Sequence, residues 1–226
     1  VYEAVLPGLH GFAKRVAVKK LRASVVANDP AFVQSMVNEA RIGGLLHHGN
    51  IVDVFEFDQV DEHYYLAMEY VEGLTLDEIV HICRHNETLL PRCATLKVGT
   101  DVFPGLPSSH QFFSLSCTPL PLVPRPLTPG TLIVLAAGVA KILDFGIAKA
   151  ASNLHDDTAS GFAKGTLRYR SPDQIRDVKP LQPASDLFSL GVVLYELVTT
   201  RRLFTAESVP ALTHDIVYAG LRTPLS

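Results

Sequence analysis

The order of three charged residues along this 226-residue chain restricts its fold more than any other feature. Lys19 ends residues 15–19, a short apolar run with two valines that favours a strand. Glu39 follows 20 residues later, within a helical pattern of apolar positions. Asp144-Phe145-Gly146 comes directly after another predicted strand. A fold that uses all three must bring a strand end, a helix and a strand-to-loop turn to one place.

Each of these residues has a simple explanation when it is taken alone. A lysine after an apolar strand is usually a solvated strand end, a glutamate on a helix is usually at the surface, and Asp-Phe-Gly is often only a turn. In this order, however, they are typical of a site for ATP phosphates. The lysine neutralises the α- and β-phosphates, the glutamate holds the lysine by a charge pair, and the aspartate binds Mg²⁺. We therefore interpret Lys19, Glu39 and Asp144 as a candidate site for ATP and Mg²⁺.

Composition limits the classes of partner. A net charge of -3 provides no global positive field, which argues against nucleic acid as the main partner. A hydrophobic content of 47% is too high for a disordered chain. The longest apolar run, residues 131–140, is about half of the roughly 18 residues that a membrane span needs, so we expect no membrane segment in this chain. With no signal peptide and no C-x-x-C pair among three spaced cysteines, we expect a cytoplasmic location with reduced thiols.

Hydrophobic periodicity predicts mostly strands before residue 72 and mostly helices after it. Further strands are expected at 51–57 and 64–71, a hairpin at 131–135 and 139–143, and helices at 74–85, 92–110, 184–198 and 208–218. In the second of these helices, Leu96, Val102 and Leu106 are expected to share a face, although Pro104 and Pro107 lie within it. Ser185 or Asp186 is expected to cap the start of helix 184–198.

A series of motifs in order makes the chain resemble the eukaryotic-like protein kinases, and most closely their bacterial Ser/Thr members. The resemblance covers nearly the whole chain, and its most specific part is K-I-L-D-F-G-I-A-K at 141–149. The other stretches are V-A-V-K-K-L at 16–21, N-E-A-R-I-G-G-L-L-H-H-G-N-I-V at 38–52, Y-L-A-M-E-Y-V-E-G at 65–73, G-T-L-R-Y-R-S-P-D-Q at 165–174 and S-D-L-F-S-L-G-V-V-L-Y-E-L at 185–197.

The resemblance implies an α+β, two-lobed protein-kinase-like fold with ATP and Mg²⁺ between the lobes. Residues 1–71 would form the N-lobe, an antiparallel sheet with a C-helix and the hinge, and residues 72–226 a partial helical C-lobe. A protein would be the substrate or partner.

The resemblance also implies roles for individual residues. Adenine would bond to the hinge backbone at Glu69 and Val71, beside Met68 as gatekeeper, and Val1, Ala17 and Ile133 would cover its faces. Lys19, Glu39 and Arg125 would serve catalysis, with Asp144 as the metal ligand. Thr166 would lie beside the substrate hydroxyl. Thr158 and Ser160 lie where activation loops are phosphorylated, although plain loop polarity explains them equally well.

The catalytic loop departs from the family's pattern, H-R-D-x-x-P-x-N. The matching stretch is 124–131, which retains Arg125. Pro124 replaces the histidine, and Pro126, 18 residues before Asp144, replaces the catalytic aspartate. Thr131 replaces the asparagine that binds the second metal ion. Proline has no side-chain group that can accept a proton, and a neutral hydroxyl is a poorer Mg²⁺ ligand than an amide or carboxylate oxygen.

Both ends also depart from the pattern. The Gly-rich phosphate loop is expected before Val1, and the last C-lobe helices are expected after residue 226, so a chain truncated at both ends is predicted. Asp173 takes the place of a glutamate whose arginine partner lies in those helices. If Asp173 were buried without a partner, it would destabilise the fold.

Three interpretations remain open from the sequence. The chain is a pseudokinase-like module that binds Mg-ATP with impaired catalysis, an active kinase that transfers the γ-phosphoryl of ATP to Ser or Thr of proteins, or a decayed kinase fragment without function. Position 126 separates the enzyme from the other two, and stable folding separates the binding module from the decayed fragment.

Overall fold

The fold was analysed in a computed structural model. It describes residues 1–20, 37, 40, 41, 43–61, 63–106, 126–143, 165–178 and 184–218. Within these ranges the chain forms two antiparallel sheets and a set of helices. None of the described helices is both long and apolar enough to span a membrane.

The first sheet is built from the amino-terminal part of the chain. Its described strands are β1 (Tyr2–Pro7), β2 (Ala13–Lys20), β3 (Val54–Val60) and β4 (His63–Glu69), in the spatial order β1-β2-β4-β3. The predictions at 15–19 and 64–71 are confirmed by β2 and β4. The strand predicted at 51–57 begins later, at Val54, and Ile51 instead forms an isolated bridge to Ile142 of the second sheet.

The second sheet and the helices follow. The sheet contains β5 (Gly73–Thr75), β6 (Leu132–Leu135) and β7 (Ala140–Ile142), so the predicted hairpin is confirmed. The helices are α1 (Leu76–His85), α2 (Arg92–Val102), α3 (Pro172–Ile175), α4 (Ala184–Thr199) and α5 (Val209–Tyr218). The helices predicted at 74–85, 184–198 and 208–218 are therefore confirmed, with ends shifted by one or two residues.

The start of α1 is determined by local chemistry. The Thr75 hydroxyl accepts a hydrogen bond from Glu78 N, and the Glu78 carboxylate accepts one from Thr75 N at 2.8 Å. This capping box satisfies two amides that the first helical turn leaves without partners. Just before it, β5 approaches β6 closely: a Cβ on Gly73 would lie 2.3 Å from the Val134 carbonyl oxygen. Glycine is therefore required where the chain enters the second sheet.

Helix α2 presents a different face to the core from the one that the sequence predicted. Thr95, Val98 and Val102 are buried, at the i, i+3, i+7 spacing of one helical face, and α2 packs on α4 and β7. Val102 and Leu106 are buried as expected, but Leu96 is 69% exposed, so its placement on that face was wrong. The helix ends at Val102, two residues before Pro104, because proline cannot continue it.

The main hydrophobic core lies among the helices and the second sheet. Helix α4 is its central element, and Val193 and Leu197 have no exposed surface. The first sheet buries a separate and smaller set of side chains, including Val16 and Leu66. Two cores are consistent with the predicted two-lobed α+β organisation; the lobe boundary at residue 71 stays a prediction.

Asp101, on the last turn of α2, ties that helix to β7. Its carboxylate accepts a hydrogen bond from Ala140 N at 3.0 Å and pairs with Lys97 Nζ at 2.5 Å. Burial acts to raise the pKa of Asp101, but Lys97 and the Ala140 N–H outweigh it, so the pKa lies below its usual value. The ionised form is therefore the one that the folded state stabilises.

We expect Leu197→Ala to lower the free energy of unfolding by about 2–5 kcal/mol, because it removes a fully buried side chain from the main core. The matched control is Leu187→Ala on the same helix, where the side chain is 46% exposed and the change should stay within about 1 kcal/mol. Urea unfolding curves measure both. Equal losses for the two variants would show that α4 does not bury the Leu197 face.

We expect Asp101→Asn to destabilise the fold in a pH-dependent manner. Since the folded-state pKa of Asp101 is depressed, its contribution is present above the unfolded value, about 3.9, and is lost as the pH falls through the folded value. The difference between parent and variant should thus be largest above about pH 5 and shrink towards pH 3. Unfolding at several pH values measures this, with the exposed Asp58→Asn as control. A difference that grew on acidification would contradict the assignment.

Candidate functional site

A cavity of about 440 Å³ lies between the two sheets. Strands β2 and β4 supply one wall, and the residues just after β4 supply one edge. The end of β7 and the loop before β6 close the opposite side. The lining residues are Val1, Ala17, Lys19, Gly43, Ile51, Val52, Val54, Leu66, Met68, Glu69, Tyr70, Val71, Gly130, Thr131, Ile142 and Leu143. Most of these side chains are apolar, and this composition is typical of a pocket for a small organic ligand.

Six of the residues predicted to bind the cofactor line this cavity: Val1, Ala17, Lys19, Met68, Glu69 and Val71. Strand pairing explains part of this arrangement, because Ala17 of β2 lies directly opposite Met68 of β4. Lys19 is half-buried and lies opposite Leu66 in the same register. The amino-terminal strands thus bring together a lysine, small and large apolar side chains, and the chain segment that leaves β4.

Ile133 is placed elsewhere. It is buried on β6, opposite Lys141 of β7, and it does not line the cavity. Opposite residues of antiparallel strands share a face of the sheet and successive residues alternate, so Ile133 and Ile142 lie on different faces. Ile142 and Leu143 contribute the apolar wall on this side.

Several predicted residues lie outside the described part of the chain: Glu39, Pro124, Arg125, Asp144, Thr158 and Ser160. The pairing of Lys19 with Glu39 and the metal-binding role of Asp144 therefore stay predictions. Near Glu39, the described residues Val37, Ala40, Arg41 and Gly43 are helical. A Cβ on Gly43 would lie 2.6 Å from Val54 Cγ2, so glycine allows the chain at residue 43 to approach β3.

The loop before β6 contains Pro126 and Thr131, two positions at which the resemblance predicts substituted catalytic residues. Pro126 is buried and offers no side-chain acceptor. The Thr131 hydroxyl donates to the Thr128 carbonyl at 2.9 Å and accepts from Thr128 N at 3.0 Å. Thr131 lines the cavity, but its hydroxyl proton and one of its lone pairs are used within its own turn. The sequence shows a threonine there; it does not show that the hydroxyl is occupied.

A backbone joint connects the first sheet to the second at the cavity. Ile142 N donates to the Asn50 carbonyl at 2.8 Å, and Val52 N donates to the Ile142 carbonyl at 2.9 Å. The Asn50 amide adds a hydrogen bond to the Ala140 carbonyl at 3.0 Å. Asp53, the residue after Val52, accepts a hydrogen bond at its carbonyl from Glu69 N at 2.8 Å. Residues 50–53 thus hold the end of β4 and the end of β7 against each other.

An ion pair between β7 and β4, which no sequence pattern indicated, also connects the two sheets here. Lys141 Nζ lies 2.5 Å from Glu69 Oε1 and 2.7 Å from Glu69 Oε2. The side chains are 14% and 26% exposed, so the pair is partly shielded from water. Because the two residues are 72 positions apart, only the relative placement of the two sheets reveals it.

Residues 165–173 are held against α4 by buried polar contacts. The Glu196 carboxylate accepts hydrogen bonds of 2.5 Å from both Tyr169 Oη and Arg84 Nη2. Burial, followed by the contact with Glu196, raises the pKa of Tyr169 above its usual range. Ser189 Oγ donates to the Tyr169 carbonyl at 2.7 Å. Thr166, half-buried, belongs to this anchored segment.

Ser185 and Asp186 do not cap α4, contrary to the prediction. The helix begins at Ala184, so both residues lie in its first turn, where both are buried. Ser185 Oγ accepts a hydrogen bond from Ser171 Oγ at 2.9 Å, which links α4 to the start of α3. Ser185 was thus taken for a cap, whereas its hydroxyl contacts a residue outside the helix.

Arg168 reinforces the anchoring of this segment from the other side. It is 7% exposed and donates to the carbonyls of Phe204 and Ala206. Burial lowers the pKa of its guanidinium from the usual value. Asp173 is only half-buried, so the condition under which it would destabilise the fold is not met.

Glu69 is the one carboxylate among the described residues that line the cavity. Within the described ranges no group of three or more His, Cys, Asp or Glu side chains is placed to hold a metal. The Thr131 hydroxyl donates one hydrogen bond to Thr128 and accepts one from it, and these two bonds use one of the two lone pairs of its oxygen.

Comparison with known proteins identifies the family. Residues 4–220 match the protein kinase domain. The chain is 34% identical over 224 residues to the tyrosine-protein kinase MasK of Myxococcus xanthus, which covers 99% of this chain and 34% of that protein. It is also 34% identical to the serine/threonine-protein kinases PknB of Mycobacterium tuberculosis, over 89% of this chain and 31% of that protein, and PrkC of Bacillus subtilis, over 88% and 28%.

The chain spans about a third of the length of these curated relatives. Their names include kinases of both acceptor types, tyrosine and serine/threonine. The match over residues 4–220 agrees with the two-sheet architecture, the cavity between the sheets and the motifs from which the resemblance was drawn. This chain belongs to the protein kinase domain family, among the eukaryotic-like kinases of bacteria.

Proposed function

We propose that this domain binds Mg-ATP in the cavity between the sheets but transfers phosphoryl groups poorly, and that it acts as a pseudokinase-like module on a protein partner. One observation carries the proposal. The cavity has apolar walls and Lys19, whereas the loop on its opposite side contains the buried Pro126 and a Thr131 hydroxyl that is bonded within its own turn. Groups that would bind the nucleotide are thus present, whereas a proline stands where the resemblance expects the proton acceptor for transfer.

The shape and lining of the cavity support nucleotide binding. Its volume, about 440 Å³, falls within the roughly 300–1,000 Å³ that is usual for small-molecule sites. Adenine would lie between Ala17 and the Ile142 side, with its edge at the backbone of Glu69 and Val71. Lys19 would neutralise the α- and β-phosphates, with Glu39 as its charge partner. When bound, Mg²⁺ would screen the phosphate charge from a position at Asp144.

Pro126 supports impaired transfer. A catalytic base must accept a proton from the substrate hydroxyl or orient it, and proline has neither an acceptor nor a flexible side chain. The loss of such assistance typically lowers a rate by a factor of about 10² to 10⁴. No Asp or Glu occurs between Val102 and Lys141 that could replace it.

An active kinase is the second candidate, and the anchored segment 165–173 favours it. Tyr169, Arg168 and Ser171 hold this segment to α4 and to the chain that follows, which supports a role for it in substrate binding. Thr166 favours Ser or Thr as the acceptor through the family resemblance. Since the relatives carry both names, a test must offer Ser, Thr and Tyr.

We expect the parent chain to unfold cooperatively and to gain stability with Mg-ATP, by about 2.7 kcal/mol at a ligand concentration 100 times the Kd. Lys19→Met should reduce this gain, because it removes the cation nearest the phosphates. The control is Lys20→Met, a neighbouring lysine that is exposed and outside the cavity lining. Thermal unfolding with and without Mg-ATP measures all three.

Two results of this experiment would count against the proposal. A cooperative transition whose midpoint temperature is the same with and without Mg-ATP would contradict nucleotide binding. The absence of any cooperative transition would favour the decayed-fragment interpretation.

We expect Pro126→Asp combined with Thr131→Asn to raise phosphoryl transfer about 10²- to 10⁴-fold over the parent, because it restores a proton acceptor and a metal-binding amide. The matched control, Pro126→Asn with Thr131→Asn, has the same shape without the carboxylate. Transfer from γ-labelled ATP to peptides with Ser, Thr or Tyr measures the rates. If the parent transferred as fast as the restored variant and well above background, impairment would be wrong. If both stayed at background, the two loop substitutions would not be a sufficient explanation of the impairment.

A further inference from the structure

We propose that Lys141 is a positioning residue for the base of the bound nucleotide, acting through its ion pair with Glu69. Lys141 does not line the cavity, whereas Glu69 does. The inference rests on the proposed function, since it concerns how the adenine-binding edge of that cavity is held. In the sequence, Lys141 is distinguished only as the first residue of the motif at 141–149. The inference gives this residue a role in nucleotide binding.

The geometry of the pair is specific. The ammonium group lies within 2.7 Å of both carboxylate oxygens of Glu69, so it holds the carboxylate at two points. The lysine side chain is 14% exposed, and partial exclusion of water strengthens such a pair. Many fully exposed ion pairs contribute little, but this one joins two sheets at a shielded place.

Glu69 is the last residue of β4 and lies where the chain leaves the first sheet. Its N–H donates to the Asp53 carbonyl at 2.8 Å, and its carboxylate lies 3.4 Å from Asp53 N. Residues 70–72 belong to no strand. Glu69 is therefore where strand pairing ends, immediately before the backbone that we propose to contact adenine. A contact that fixes Glu69 also fixes the start of that edge.

Lys141 connects this edge to the opposite side of the cavity. It lies on β7 next to Ile142, which lines the cavity and is bonded to residues 50 and 52. The ion pair therefore helps to hold the adenine edge at its distance from the apolar wall that faces it. Without Lys141, the Glu69 carboxylate would be left charged in a partly buried position, and it would be expected to turn towards water and displace the edge.

The test compares ligands that use different parts of the cavity. Adenosine uses the base edge, inorganic tripolyphosphate uses the lysine end, and Mg-ATP uses both. Isothermal titration calorimetry gives the Kd of each for the parent chain and for Lys141→Gln, Lys141→Arg and Lys97→Gln. Lys97→Gln is a matched control, because Lys97 contacts both oxygens of Asp101 at 2.5 and 2.6 Å within one helix, away from the base edge.

We expect Lys141→Gln to raise the Kd of adenosine and of Mg-ATP by the same factor, about 5-fold or more. The Kd of tripolyphosphate should stay unchanged. Lys141→Arg should retain the parent affinities within about 2-fold, because arginine can pair with the same carboxylate. Lys97→Gln should leave all three unchanged. Equal weakening of the three ligands by Lys141→Gln, no weakening at all, or the same loss in Lys97→Gln would overturn the proposal.

A second measurement separates this proposal from the proposed function. Amide hydrogen exchange at residues 68–71, without any nucleotide, should be faster in Lys141→Gln than in the parent and in Lys97→Gln. If the parent binds neither adenosine nor Mg-ATP, the proposed function fails, while faster exchange would still support Lys141 as the residue that holds this edge. Unchanged exchange would overturn it.

Discussion

The cavity depends on a small backbone joint between residues 50–53 and β7. Two main-chain hydrogen bonds, Ile142 N to the Asn50 carbonyl and Val52 N to the Ile142 carbonyl, place one sheet against the other. Ile51 and Val52 are almost fully buried there, so their main-chain groups need partners in the protein. The walls, the lysine and the chain segment after β4 acquire their relative positions through this contact. Other tertiary contacts in the region, including the Glu69 ion pair, add to it.

Binding and catalysis place different demands on such a site. An apolar cavity with one cation needs only shape and a few fixed groups, and strands β2 and β4 provide these through regular pairing. Proton transfer needs one particular side chain at one position in a loop, and a single substitution removes it. Under the proposed function, Pro126 and Thr131 would lower phosphoryl transfer, whereas β2 and β4 keep the pairing that lines the cavity. The family assignment and the proposed loss of activity are compatible for this reason.

Much of the fold could be predicted from local patterns, because strands such as β2 and β4 consist of short apolar runs and α4 is apolar on most sides. Six cavity residues were found through the family resemblance, and four of them, Ala17, Lys19, Met68 and Glu69, lie on the paired strands β2 and β4. The predictions that were wrong concerned residues whose positions depend on contacts with distant parts of the chain. Leu96 is apolar but lies on the exposed side of α2, and Ser185 is hydrogen-bonded to Ser171 instead of capping α4. The Lys141–Glu69 pair and the occupied Thr131 hydroxyl arise from contacts that no local pattern encodes.

The joint also has a consequence for the nascent chain during translation. The Asn50 side chain and its partner Ala140 are 90 residues apart, so the ribosome releases the first sheet long before β7 exists. Until then, Ile51 and Val52 have no second sheet to cover them, and contacts of such large sequence separation form slowly. An early intermediate with an uncovered apolar edge is the kind of species that aggregates or binds chaperones. Cotranslational assembly of this domain is therefore limited by the arrival of the hairpin at residues 132–142.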